Sequence, residues 1–367
     1  MKQANYAVFI GRFQPFHYGH ASVIHEGLKV AERVIVLVGS ANCPRSLRNP
    51  FTYRERANVI EEWAISLNES ITSVQGKNPR VVVAPLNDFT YRDNEWISAV
   101  QHVVSGVTLS DGWRDRTVIK LIGHSKDHTS YYLSLFPTWG HVDVPAFTSR
   151  HMVNSTEVRN FFFTNVYDEL NLNVDLYTDV VPPATIKFLD WFLSQHEEEW
   201  KNLIAEKEFI EKYKQDHKFA GEHIPYSPTH VTADAVVVQS GHVLLIRRKT
   251  FPGKGLWALP GGFVNQYETI DNAIIRELRE ETKIKVPPAI LKSNMTKKEV
   301  FDNPNRSPRG RIITHAGLIE LPLDTSLPKV KGSDDADKAK WIPIGELNPT
   351  ELYEDHYHII KKMVSDR

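Results

Sequence analysis

Over about the first 180 residues, short β-rich runs alternate with amphipathic helical patterns, which narrows the fold more than any other feature of the chain. Strands are expected at residues 6–10, 34–38, 81–85, 118–122 and 141–144, and helices at 20–31, 53–67, 95–106 and 129–136. Strands separated by helices build a parallel, doubly wound sheet. Ligands of such sheets sit beyond the carboxyl ends of the strands. The residues just after each strand are therefore where chemistry is sought.

After Pro182-Pro183 the pattern changes. Residues 184–219 are charged, spotted with aromatics and without Pro or Gly, as one or two long helices would be; residues 221–228 read as a connector. From Thr229 the chain is β-rich (231–239, 243–247, 312–321, 339–342), interrupted by a strong helix at 269–282. The expected organisation is an α/β Rossmann-like domain (1–183), a helical linker (184–228) and an α+β domain (229–367).

Composition adds exclusions. The 367 residues carry a formal net charge of −1, so an anionic ligand must be held by local cations, and no nucleic-acid surface is expected. No stretch approaches the roughly 18 apolar residues needed to span a bilayer, so a membrane partner is not expected either. The N-terminus runs straight into Tyr6-Ala7-Val8-Phe9-Ile10 without a cleavage region, and cytoplasmic residence is expected. One cysteine, Cys43, excludes an internal disulfide and a Cys-rich zinc site. Homo-oligomerisation stays open.

The first strand ends in Gly11-Arg12-Phe13-Gln14-Pro15-Phe16-His17-Tyr18-Gly19-His20. A Gly/Pro-punctuated turn leading into a helix offers unpaired N–H groups and a positive dipole end to an anion. Gly11 and Gly19 permit close backbone approach, and His17 and His20 can face one pocket, where they either stabilise charge on a phosphate or cap the helix. This decapeptide resembles the signature of the nucleotidylyltransferase superfamily in its NMN adenylyltransferase branch. Agreeing landmarks are Gly39-Ser40-Ala41-Asn42, Arg48-Asn49-Pro50-Phe51-Thr52 before Glu55-Arg56, Gly123-His124-Ser125-Lys126-Asp127, Ser130-Tyr131-Tyr132 and Ser155-Thr156-Glu157-Val158-Arg159, in which Asn154 replaces the usual small preceding residue.

The resemblance implies attack of the NMN phosphate on the α-phosphorus of ATP, giving NAD and pyrophosphate, by positioning and charge neutralisation alone. It implies His17 and His20 at the α-phosphate, Arg159 with Ser155 and Thr156 at the leaving pyrophosphate, and Arg12 in the phosphate pocket. Gly11, Phe13, Gly19, Asp88, Asn94, Gly123, Lys126 and Asp127 are implied as further ATP or NMN contacts. Trp96 either stacks on nicotinamide or belongs to the helix core. Arg48 serves the NMN phosphate or pairs with Glu55. Mg²⁺ is expected to enter with ATP.

In the second half, Glu277, Glu280 and Glu281 fall at i, i+3 and i+4, within an arc of about 100° on one helical face. Like charges at that spacing destabilise a helix unless solvent or a cation neutralises them. Pro260-Gly261-Gly262 precedes the helix, Glu268 follows Gly262 by six residues, and Arg276 precedes Glu277. The pattern resembles the Nudix box, Gly-x5-Glu-x7-Arg-Glu-apolar-x-Glu-Glu-x-Gly-apolar, except that Lys283 stands in the last Gly slot. That Gly permits a left-handed helix stop, and a Lys there should cost about 1 kcal/mol.

An oxygen-only ligand set suits Mg²⁺ or Mn²⁺. The resemblance implies metal ligands at Glu277, Glu280 and Glu281, with Arg276 orienting a carboxylate and Glu268 in support. The general base stays open between Glu281, another box carboxylate and an acid of Ser333-Asp334-Asp335-Ala336-Asp337. The flanks, Gly255-Leu256-Trp257-Ala258-Leu259-Pro260 and Phe301-Asp302-Asn303-Pro304 with Arg306, Arg309 and Arg311, resemble ADP-ribose pyrophosphatases, whose products would be AMP and ribose 5-phosphate. Arg309 and Arg311 either contact substrate or decorate a solvated turn.

From about residue 5 to 365 the chain resembles bifunctional NMN adenylyltransferase/Nudix hydrolase proteins. The small-molecule partners implied are ATP, NMN, NAD and ADP-ribose. Three rivals carry different consequences: transfer to another phosphate ester such as phosphopantetheine, a Nudix half that only senses ligand, and a scaffold docking through residues 195–217.

Overall fold

The computed structural model describes residues 4–67, 80–112, 117–124, 135–145, 147, 154–163, 178–216, 228–323, 326–332 and 336–365. It divides into two compact units, Met1–Ile204 and Ala205–Arg367. The expected helix at 129–136 and the residues Lys126, Asp127, Ser130, Tyr131 and Tyr132 lie largely or wholly outside the described residues, as do Asp334 and Asp335.

The first unit is built on five parallel strands in the order β3-β2-β1-β4-β5: β1 (Ala4–Gly11), β2 (Ala31–Val38), β3 (Val81–Pro85), β4 (Ile119–Gly123) and β5 (Gly140–Asp143). The doubly wound sheet read from the sequence is therefore present. Residues on β1 and β2 are buried toward both faces, as a parallel sheet with helices on both sides requires. One layer packs α1 (Tyr18–Val30) and α2 (Tyr53–Ser66), burying Ile24, Val34, Val36, Ile60 and Trp63. The other packs α3 (Asp93–Ser110), burying Val8, Ile35, Leu37, Val100 and Val104. Strand order reverses between β1 and β4, so their carboxyl ends, Gly11 and Gly123, flank the switch point where such sheets bind ligands.

A separate aromatic cluster joins α4 (Ser155–Phe162) to α5 (Pro183–Gln195) through Phe51, Phe162, Leu189 and Phe192. The charged stretch after Pro183 forms two helices, α5 and α6 (Glu197–Asp216).

In the second unit a seven-stranded mixed sheet runs β10-β11-β6-β7-β12, with β8 (Trp257–Ala258) on β7 and β9 (Gly261–Phe263) on β6. Its long strands are β6 (Thr229–Gln239), β7 (His242–Arg248), β10 (Met295–Phe301), β11 (Arg311–Glu320) and β12 (Ala336–Pro343), and β6 and β11 run parallel in register from Thr229 opposite Arg311. Helix α7 (Ile270–Thr282) seals its core with Ala273, Ile274, Ile275 and Leu278 against Ala235, Val237 and Ile319. Two short helices, α8 (Pro288–Ser293) and α9 (His356–Ser365), complete the unit. No helix among the described residues is long and apolar enough to cross a membrane.

Candidate active sites

In the first unit, His17 is the N-cap of α1 and His20 its third residue, and each ring Nδ1 accepts from the other residue's backbone N–H at 3.3 Å. Capping and chemistry are thus compatible. With Nδ1 accepting, a neutral imidazole carries its proton on Nε2, the atom that can donate to an anion. The two rings stack, with centroids 3.6 Å apart. Phe13 is almost wholly buried, and its ring meets His20 edge-on at 4.7 Å, so its side chain fixes the histidine rather than facing solvent. A Cβ on Gly11 would come within 2.8 Å of that same ring, which explains the glycine. Gly19 sits in the first turn of α1.

Three arginines lie close enough to repel one another, and one of them, Arg159, is tied to the loop that carries this pair. Burial, then repulsion from Arg48, lowers the Arg12 pKa to about 10, and its buried Nη1 has no hydrogen-bond partner among the described residues. Burial also lowers Arg48. Burial, with repulsion from Arg12 and Arg48, holds Arg159 near 10. Arg159 donates to the Gln14 carbonyl at 2.5 Å and to Thr156 Oγ1 at 3.2 Å, while Ser155 Oγ donates to the Pro15 carbonyl at 3.2 Å. The start of α4 is thereby tied to the loop after β1. Asn154 caps α4 by accepting from the Glu157 N–H at 2.9 Å, so the residue that departs from the motif does the capping. Three mutually repelling, desolvated guanidiniums make a local excess of positive charge that an anion would offset.

Asp88 organises the loop after β2, accepting from the Ser40 N–H at 3.2 Å and from Cys43 Sγ at 3.2 Å. Burial and the Asp88 carboxylate push the Cys43 thiol far up, which suits an inert thiol. Glu55 pairs with Arg45 at 2.6 Å, not with Arg48. Trp96 is half-buried, 6.2 Å from the Phe136 ring, and Asn94 is exposed on the first turn of α3. Gly123 ends β4, where its carbonyl accepts from Val144.

In the second unit, Gly261 and Gly262 lie on β9 against the acidic face of α7. A Cβ on Gly262 would approach Glu277 Oε1 to 2.5 Å, and one on Gly261 would collide with Asp234. Glu281 is buried, and Oε2 accepts from the Gly261 N–H at 2.9 Å. Burial pushes its carboxyl up to about 8. Burial also raises Glu277, despite its 2.6 Å bond from Arg276 Nη1. Arg276 is the hub: it donates to Glu268 at 2.9 and 2.8 Å, to Glu280 at 3.1 Å and to the Phe263 carbonyl at 3.1 Å. Its hydrogen bonds to Glu268 lead in raising its own pKa and in depressing that of Glu268. Arg309 sits over the Phe263 ring at 5.8 Å, beside the glycine turn, whereas Arg311 is engaged by the Asp302 carbonyl at 2.5 Å.

Three carboxylates on one helical face, one of them desolvated and held by a backbone amide, supply the all-oxygen donor chemistry that a hard divalent cation takes.

A cytidylyltransferase-like family model matches residues 8–161 and a NUDIX domain model matches residues 228–363. Over 203 residues the chain is 32% identical to the nicotinamide/nicotinic acid mononucleotide adenylyltransferase of Acinetobacter baylyi, covering 55% of this chain and 93% of that protein. Over 131 residues it is 38% identical to the ADP-ribose pyrophosphatase of Methanocaldococcus jannaschii, covering 36% of this chain and 70% of that one. The crystal structure of a bifunctional NMN adenylyltransferase/ADP ribose pyrophosphatase from Francisella tularensis, complexed with AMP and Mn ion, is 33% identical and matches with a TM-score of 0.82 over 99% of both chains. The chain belongs to this bifunctional family.

Two features of its sites were not assigned from sequence. Arg56, read only as a landmark, is buried and donates to the carbonyls of Arg12 (2.6 Å), Gly39 (2.7 Å), Ser40 (3.1 Å) and Thr52 (3.1 Å), gathering the carboxyl ends of β1 and β2. Behind the box, Arg306 grips Asp355 with two bonds of 3.0 and 2.9 Å, both side chains buried. Thr314 donates to Asp234 at 2.5 Å, and burial brings Asp234 to about 6. Partners 44 or 49 residues apart leave no local spacing signal, and of these residues only Asp234 stood out, as an acid within a β-rich run.

Proposed function

We propose that the first unit transfers the adenylyl group of ATP to NMN and the second hydrolyses ADP-ribose to AMP and ribose 5-phosphate. In each unit one observation carries the reading: the mutually repelling Arg12, Arg48 and Arg159, with Arg159 bonded to the loop that carries the paired histidines, and the acidic face of α7 closed over Gly261 and Gly262.

In the transferase, an NMN phosphate oxygen forms a bond to the α-phosphorus of ATP as the Pα–O–Pβ bond breaks, and the electron pair leaves on pyrophosphate. His17 and His20 donate from Nε2 to the α-phosphate oxygens as charge builds there. Arg12 and Arg159 neutralise the departing pyrophosphate, with Ser155 and Thr156 beside it at the start of α4. Arg48 takes the NMN phosphate and Trp96 the nicotinamide ring. The Mg²⁺ of this half accompanies ATP.

In the hydrolase, Glu277, Glu280 and Glu281 hold Mg²⁺ or Mn²⁺, which when bound offsets pyrophosphate charge and acidifies a water. Arg276 fixes Glu277 and Glu280 in place, Glu268 anchors Arg276, and the bare Gly262 leaves room for the carboxylate of Glu277. Arg309, beside Phe263, offers a cation to the substrate; Arg311, held by Asp302, stands farther from that task.

The test is product analysis with Mg²⁺ in separate incubations of ATP plus NMN and of ADP-ribose. NAD with pyrophosphate is expected from the first, and AMP with ribose 5-phosphate from the second. Glu281→Gln should lower ADP-ribose hydrolysis at least about a hundredfold, the scale of losing one group that stabilises developing charge, and leave adenylyl transfer unchanged. NAD without AMP would reduce the second unit to a ligand sensor or a hydrolase for another substrate, and absence of NAD would overturn the transferase assignment.

A further inference from the structure

The side of α7 turned away from the metal-ligand carboxylates borders a cleft of about 340 Å³, lined by Glu268, Asn272, Ile275, Arg276, Arg279, Pro288, Ala289 and Lys292. At 100° per residue, Asn272, Ile275 and Arg279 lie roughly 130–170° around the helix from the mean direction of Glu277, Glu280 and Glu281. The cleft is therefore distinct from the face that holds the cation. Arg276, at about 90°, stands between the two.

Three cations and one acid line this space. The acid, Glu268, is consumed by Arg276 at 2.8 and 2.9 Å. The side chains of Arg279 and Lys292 have no hydrogen-bond or ion-pair partner among the described residues. Two exposed cations without a partner among the described residues, lining one concave surface, leave a local excess of positive charge there. Buried Ile275 and the exposed Pro288 and Ala289 supply apolar surface, and the exposed Asn272 supplies an amide. A guanidinium fork and an ammonium fit a phosphate, the apolar surface a short carbon skeleton, and the amide a hydroxyl. The volume falls at the small end of ligand pockets, about the size of a sugar phosphate.

We propose that this cleft is a second ligand site, which binds the phosphate group of a small phosphate ester through Arg279 and Lys292. An occupant reaches Arg276, whose bonds to Glu277 and Glu280 place it in contact with the metal-ligand face. The cleft thus gives a phosphorylated metabolite a way to bear on the carboxylates without entering the catalytic face.

The probe is inorganic phosphate, titrated calorimetrically into the full chain without divalent metal and at constant ionic strength. Arg279→Ala/Lys292→Ala is compared with wild type and with Lys285→Ala/Lys329→Ala, which removes two exposed cations elsewhere in the same unit. The phosphate pocket of the first unit contributes equally to all three proteins. Wild type and the control should show one binding event that the cleft variant loses or binds at least about tenfold more weakly, the scale of one charge-assisted hydrogen bond. Equal binding by all three proteins, or an equal loss in both variants, would overturn the proposal. Because neither metal nor ADP-ribose is present, the outcome is independent of whether the hydrolase reading holds.

Discussion

Lys283 closes α7 with φ 48° and ψ 28°, a left-handed residue in the slot where the box carries glycine. The left-handed conformation costs a residue with a Cβ about 1–2 kcal/mol. Glycine removes that cost but forfeits about 0.5–1 kcal/mol through the greater freedom of its unfolded chain. The Lys283 N–H to Arg279 carbonyl bond, 3.0 Å, survives the exchange. Lys283→Gly should therefore stabilise the second unit by about 0.5–1 kcal/mol, which at about 2–4 °C per kcal/mol raises its unfolding midpoint by about 1–4 °C. Scanning calorimetry of the full chain reads this as an upward shift of one transition with ADP-ribose hydrolysis unchanged. The Lys283 side chain has contacts of its own, so Lys283→Ala is the control: it removes them and keeps the Cβ. Alanine should give no gain. An equal gain from alanine would trace the effect to the lysine side chain, and a loss from glycine would refute backbone strain at this position.

Two further outcomes follow from the geometry. Arg56→Lys cannot reproduce the fork that serves four carbonyls, so the KM for ATP should rise about tenfold, with a smaller change in kcat; a lowered unfolding midpoint with KM unmoved would leave Arg56 a purely structural residue. The Glu281 carboxyl lies at about 8 against an ordinary 4.5, so the folded state binds the extra proton, and the stability this confers is full below about 4.5 and lost as pH rises through about 8. The metal-free second unit should accordingly melt at lower temperature from pH 6 to 8.5, Mg²⁺ should reverse that fall, and Glu281→Gln should flatten it; a midpoint that climbs over this window would contradict the assignment.

How much of this was legible depends on where the information lay. The box was readable because one helix presents its carboxylates at fixed spacing, and the left-handed stop at Lys283 was foreseeable because a glycine slot announces a backbone need. The parallel sheet was readable from apolar runs such as Val34–Val38, although helix α3 begins two residues earlier and ends four later than expected. Strand β10 escaped notice: in Met295-Thr296-Lys297-Lys298-Glu299-Val300-Phe301 the half-buried positions are largely polar, so no apolar alternation marks it. Helix α9 was not read either, although it buries Ile359, Ile360 and Met363 beside His356 and His358. Within the expected helical linker, α5 packs into the aromatic cluster with Phe51 and Phe162, contacts that no local pattern in the sequence announces. Arg56 and the Arg306–Asp355 pair were invisible because their partners are backbone carbonyls or lie far along the chain.

The reciprocal bonds between His17 and His20 make their spacing a property of the backbone as much as of the chemistry. An N-cap and the third residue of a helix are the one pair that can satisfy each other's N–H groups in this way. Neither histidine can therefore drift along the chain, and no residue can be inserted between them, without opening the helix and scattering both imidazoles at once. A two-histidine signature that doubles as its own helix start is heritable only as a unit. That interlock makes the four residues from His17 to His20 one structural element.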